Sequence, residues 1–159
     1  MSDRARTLAV LVVLPLVVAS ACGGEGAPPS AAAFEEQVAL ARDRVDYALE
    51  QVTRAESLEA FLERMDEAAE TIADAAADLR RGSAPTGLEA ELDDLVGSLE
   101  QLTFDVQATA DQIRQPGFDE LLAGTRGLSF ESWEAVNGAL ASLRGRGVEV
   151  APLERHGGS

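Results

Sequence analysis

Lysine is absent from this chain, and cysteine, histidine, tryptophan and tyrosine occur once each. A single cysteine excludes an internal disulfide, so the fold has to rest on apolar packing alone. A single histidine, His156, excludes the paired Glu-x-x-His motifs of a di-metal bundle, and one cysteine with one histidine falls short of a four-ligand zinc site. There is no glycine-rich phosphate loop, no spare thiol nucleophile, and no serine placed with a histidine that could activate it. These absences point away from an enzyme and from a resident cofactor or metal. Paired carboxylates are the exception, but acidic residues are so abundant that no particular pair stands out.

Cationic charge is also scarce. The 13 arginines face 28 acidic residues, for a formal net charge of −15. Nucleic-acid binding depends on basic side chains that displace counterions from phosphate, so this balance excludes it as a partner.

Long hydrophobic runs are missing except at the start. Arg4 and Arg6 precede an uncharged stretch from Leu8 to Val18, followed by Ala19, Ser20, Ala21 and Cys22. A positive region, a short apolar region and a small-residue cleavage site make a signal peptide. The run is too short for a spanning helix, which needs roughly 20 apolar residues. Its ending resembles the lipobox of bacterial lipoproteins, although Ala19 stands where that pattern more often has leucine. The resemblance implies cleavage before Cys22 and lipidation of its sulfur, as with palmitate-type acyl chains. The alternative is an ordinary secretory signal cut after Ala21. Arginine used to the exclusion of lysine, with abundant Ala, Gly, Leu and Val, fits a GC-rich genome and an actinobacterial source. Removal of residues 1–21 leaves 11 arginines against 27 acidic residues, a net charge of about −16. That charge repels anionic lipid head groups, so the acyl chains must do the anchoring.

Residues 22–33, rich in Gly and Pro, form a flexible tether with a reach of roughly 18 Å. A helical bundle domain is expected over 34–147, and an extended tail over 148–159. Phe34, Val38, Ala41, Val45, Ala48 and Val52 recur at steps of three and four, which predicts an amphipathic first helix. Glu50 and Arg54 form an i, i+4 pair on it. Leu58, Phe61, Leu62, Met65, Ala68, Ala69, Ile72, Ala75, Ala76 and Leu79 make the second stripe. One helix through both stripes would be roughly 72 Å long at 1.5 Å per residue, so a break near Glu56 is favoured, with Ser57 as the new N-cap.

Arg80, Arg81 and Gly82 suit a helix C-terminus with a left-handed glycine cap. Thr86 and Glu89 have capping-box spacing ahead of a third helix carrying Leu88, Leu92, Leu95, Leu99, Leu102, Val106, Ala110 and Ile113. Pro116 ends that helix and can start a short one running to Ala123. Ser129 is the expected N-cap of a fourth helix with the stripe Phe130, Trp133, Val136, Leu140 and Leu143, closed by Gly145 and Gly147. Val148 to Leu153 alternates like a strand but has no second strand to pair with, so it is expected to lie as an extended tail against the bundle. His156 and the final glycines are expected to fray.

The fold class predicted is all-α: an antiparallel helical bundle of three long helices plus a shorter fourth, with a short extended C-terminal tail. The sharpest candidate site is an acidic ladder on the second helix, Glu63, Glu67, Glu70, Asp74 and Asp78. It reads either as a docking face for a basic partner or a weak cation, or as a solvated face that keeps the domain soluble. Trp133 is a candidate aromatic anchor, although its place on the apolar stripe favours core packing. Tyr47 and Asn137 are either cleft-lining or boundary residues. The function expected is a lipid-anchored, extracytoplasmic interaction or scaffold module of the cell envelope, without enzymatic activity and with an envelope protein as partner. The alternative is a ligand- or cation-binding lipoprotein with a site between helices.

Overall fold

Serine hydroxyls set the first two helices. In the computed structural model, which describes residues 29–115 and 130–156, Ser30 accepts the amide hydrogen of Ala33 at 3.2 Å and starts α1, Ala31–Thr53. Ser57 accepts that of Ala60 at 3.1 Å and starts α2, Leu58–Arg81. The chain therefore breaks between Thr53 and Leu58, where the length argument places the break. α1 takes in Ala31, Ala32 and Ala33, three residues that the Gly- and Pro-rich composition assigns to the tether. α3 is Glu89–Ile113 and α4 is Glu131–Gly145. All four helices form one bundle, and among the described residues there is no strand.

Polar contacts fix the directions of the helices. Gln37 donates to the Asp78 carbonyl at one end of the α1–α2 pair, and Arg64 donates to Gln51 at the other. Arg80 pairs with Glu100, and Arg114 with Asp66, each at 2.5 Å. Ser132 donates to Asp105 at 2.6 Å, while Arg146 reaches Glu91 at 3.1 Å. Apart from Arg80, which meets the middle of α3, each pair joins the early part of one helix to the later part of its neighbour, so successive helices run antiparallel. The apolar stripes fill the centre: Phe34, Val38, Met65, Ile72, Leu79, Leu102, Val106 and Leu140 are fully buried. Burial of such side chains contributes about 1.5–3 kcal/mol each and is the main force on the fold. Leu58, by contrast, is half-exposed at the start of α2.

Two connections differ from their sequence signals. Gly82 ends α2 in an extended conformation, φ −71° and ψ 172°, not the left-handed one. The amide end of the flexible Gln37 side chain rests where a Cβ would stand. The Thr86–Glu89 capping box does not form either. α3 starts two residues later than that motif implies, its N-cap position Leu88 has no side-chain cap, and the Glu89 carboxylate turns back to accept the Gly87 amide at 2.7 Å. Gly87 takes φ +87° in that turn, which explains the glycine there. Gly147, at φ +90°, follows α4 as expected. The short helix from Pro116, the Ser129 cap, the signal peptide and Cys22 lie outside the described residues.

The helices pack in chain order, α1 on α2, α2 on α3 and α3 on α4, while the backbones of α1 and α4 stay farther apart and meet only through side chains around a small void. The tail closes that seam. Val148, Val150 and Leu153 are buried in the common core. No described helix is long and apolar enough to cross a membrane.

Candidate functional site

The seam between α1 and α4 concentrates the polar chemistry of the bundle. An extended segment without a strand partner leaves backbone groups to be satisfied, and here side chains do it. Arg42 on α1 grips the Pro152 carbonyl with Nη2 at 2.7 Å and Nε at 3.0 Å. Glu35 accepts the Glu149 amide at 2.9 Å, Asp46 accepts the Glu154 amide at 2.8 Å, and Asn137 on α4 accepts the Leu153 amide at 2.8 Å. Arg155 stacks over the Trp133 ring, 5.0 Å from its centre, and pairs with Glu134 at 2.6 Å. An arginine above an aromatic face adds a modest attraction at an exposed site.

His156 ends this strap in contact with α1 instead of fraying. Its Nε2 lies 3.1 Å from Asp46 Oδ1, and the two side chains are only 15% and 14% exposed. The Glu154 carboxylate completes a group of three whose ligand atoms all lie within 4.8 Å of one another. One imidazole and two carboxylates are thus brought together from positions 110 residues apart. No local sequence pattern announces the cluster, because only packing of the tail creates it.

The acidic ladder divides in two. Glu63, Glu67, Glu70 and Asp74 are exposed along α2. Glu67 is 4.0 Å from Arg64, while Glu63, Glu70 and Asp74 form no ion pair with any described residue. Asp78, at the far end, is instead part of the structure: Arg44 donates to it at 2.6 Å across the α1–α2 interface, and Arg81 also bonds it. The Arg44 hydrogen bond holds the Asp78 carboxyl below its ordinary value of 3.8, with burial opposing and Arg81 assisting. A depressed folded-state value means that this contribution is present at neutral pH and is lost as pH falls through the acid range below 3.8. Exchange of Glu67 and Glu70 for arginine together is expected to leave unfolding free energy at pH 7 within about 1 kcal/mol, as measured by urea titration. In the same assay Asp78→Asn should flatten the acid limb of the stability profile, which the ladder variant should leave unchanged.

Trp133 is half-buried, with one side against the core and Arg155 on its face, so packing accounts for most of its surface. Asn137 is a boundary residue with a defined task, the grip on Leu153. Tyr47 points outward at 63% exposure, as does Leu40 at 61% on the same face of α1, and Phe104 on α3 at 64%.

Within the bundle, the space among Val38, Val45, Leu79, Leu99, Leu140 and Leu153 is a void of about 10 Å³. That is close to the volume of one water probe, and its lining is almost wholly apolar. A half-open hollow of about 380 Å³ lies outside the core, where Arg80 and Gly82 face Leu92, Asp93 and Val96. Among the described residues every buried side-chain nitrogen and oxygen has a hydrogen-bond partner. The most buried polar residue, Ser132, spends its hydroxyl on Asp105. Compared with protein-family models, curated proteins and solved structures, the chain matches none.

Proposed function

We propose that this protein is a lipid-anchored, non-enzymatic interaction module on the extracytoplasmic face of the cell membrane, held there through Cys22 and presenting the outer surface of its bundle to an envelope protein. The observation that carries this reading is the tight packing of the described core. The space among its helices is a void of about 10 Å³, against about 300 Å³ upward for typical small-molecule sites, and the hollow of about 380 Å³ beside Arg80 lies on the outside. Both features support a role for the exterior of the bundle. The acidic face of Glu63, Glu67, Glu70 and Asp74, the exposed Tyr47, Leu40 and Phe104, and the outward part of Trp133 are what that exterior offers.

A photo-crosslinking residue placed in turn at Tyr47, Phe104, Glu67 and Trp133 in the membrane-bound protein tests the proposal. At least one position should give a discrete crosslinked species that survives detergent extraction and contains a second protein. Diffuse or absent crosslinking at all four positions would contradict the module and return attention to the hollow beside Arg80.

A further inference from the structure

We infer that Asp46, Glu154 and His156 form a binding site for a divalent transition-metal ion of the zinc type, which clips the C-terminal strap to α1. The donor set argues for this class of ion. Calcium and magnesium take oxygen ligands, whereas zinc accepts imidazole nitrogen together with carboxylate oxygen, and three protein ligands plus water is a common zinc arrangement. The two carboxylates neutralise the ion's charge.

The positions need little change. Zinc ligands at about 2.0–2.1 Å in tetrahedral geometry stand roughly 3.3 Å from each other. His156 Nε2 and Asp46 Oδ1 are already 3.1 Å apart. The Glu154 carboxylate, within 4.8 Å of both, sits on an exposed side chain and can close the remainder by a change of rotamer.

The surroundings fix Asp46 in the required pose. Its Oδ1 accepts the Glu154 amide at 2.8 Å, and the second lone pair, which meets His156 Nε2 at 3.1 Å, is the one an ion would take by replacing the hydrogen between them. Arg42 lies 3.7 Å from the other oxygen of the carboxylate, Oδ2. Its guanidinium is also committed to Pro152 and Asp43, so it orients Asp46 without occupying the ligand position. Such bonds behind a ligating carboxylate are what hold it in place in metal sites. An ion here would join residue 46 to residue 156 and close a long loop, where a clip gains most against chain entropy.

The test is calorimetric titration of Zn²⁺ into the lipidated protein in detergent, and in parallel into a Cys22→Ser form, which has no sulfur at that position for zinc to bind. One equivalent should bind in both forms. His156→Ala and Asp46→Asn should each weaken binding by at least about tenfold, since even residues behind the ligands cost that much in metal sites. Circular dichroism checks that both variants remain helical. Glu63→Gln with Glu67→Gln should leave the affinity unchanged. Zinc binding that persists in His156→Ala, that disappears in the ladder variant, or that is absent from the parent protein would overturn the site.

Discussion

A chain ended after Gly147 is expected to lose most or all of its cooperative unfolding transition. The tail lines the seam between α1 and α4, whose backbones do not approach each other closely, and it buries Val148, Val150 and Leu153. Full burial of three such side chains contributes about 4.5–9 kcal/mol, and a domain of this size is stable by only about 5–15 kcal/mol in total. Truncation also strips solvent protection from Val38, Ala41 and Val45 on α1 and from Val136 and Leu140 on α4, which share a small void with Leu153. Urea unfolding followed at Trp133 and by far-ultraviolet circular dichroism gives the readout. The finer variant Leu153→Ala should cost about 2–5 kcal/mol, by loss of transfer energy plus the cavity left behind. A truncated protein with an unchanged midpoint would mean that the seam closes without the strap.

Cys22→Ala is expected to move the protein from the membrane fraction to the soluble one. No described helix is long and apolar enough to cross a membrane, and the net negative charge repels anionic head groups. One acyl chain gives marginal binding and two or more give stable anchoring, so loss of the lipidated sulfur should be close to all-or-none. Fractionation of cells carrying each form, read by immunoblot, measures it. Membrane attachment of a cleaved Cys22→Ala form would contradict the anchor.

Much of the fold is legible in the sequence because helices write their buried face locally. The stripes Phe34–Val52, Met65–Leu79 and Leu92–Ile113 recur at helical spacing, and every predicted residue in them that faces the core is buried. Ser57 announces the break between α1 and α2, since a side-chain cap is also local chemistry. The connection from α2 to α3 was less legible. Glycine at 82 signals a left-handed cap, but the backbone there is extended, and the end of the Gln37 side chain, 45 positions earlier, lies against it, an approach that spacing in the chain does not record. For the same reason Ser132 and Asp105 give no warning of their buried bond. The tail shows both limits at once. Its alternation predicts an extended segment against the bundle, and it is one. That Arg42, Asp46 and Asn137 would satisfy its backbone, and that His156 would meet Asp46 and Glu154, follows only from three-dimensional packing.

The acidic ladder illustrates the difference between a pattern and a site. Five carboxylates share one face by helical spacing, yet Asp78 is tied to Arg44 on the neighbouring helix while the other four look into solvent. The more specific grouping is the smaller one at the seam, where little-exposed Asp46 and His156 meet the exposed carboxylate of Glu154.

The anchor is the central claim, because it decides where the bundle can act. Intact-mass analysis of protein extracted from membranes tests it most directly. The account predicts a mass equal to residues 22–159 plus a diacylglyceryl group on Cys22, with or without a further acyl chain on the new amine. A mass equal to unmodified residues 22–159, or to the uncleaved 159-residue chain, would contradict it.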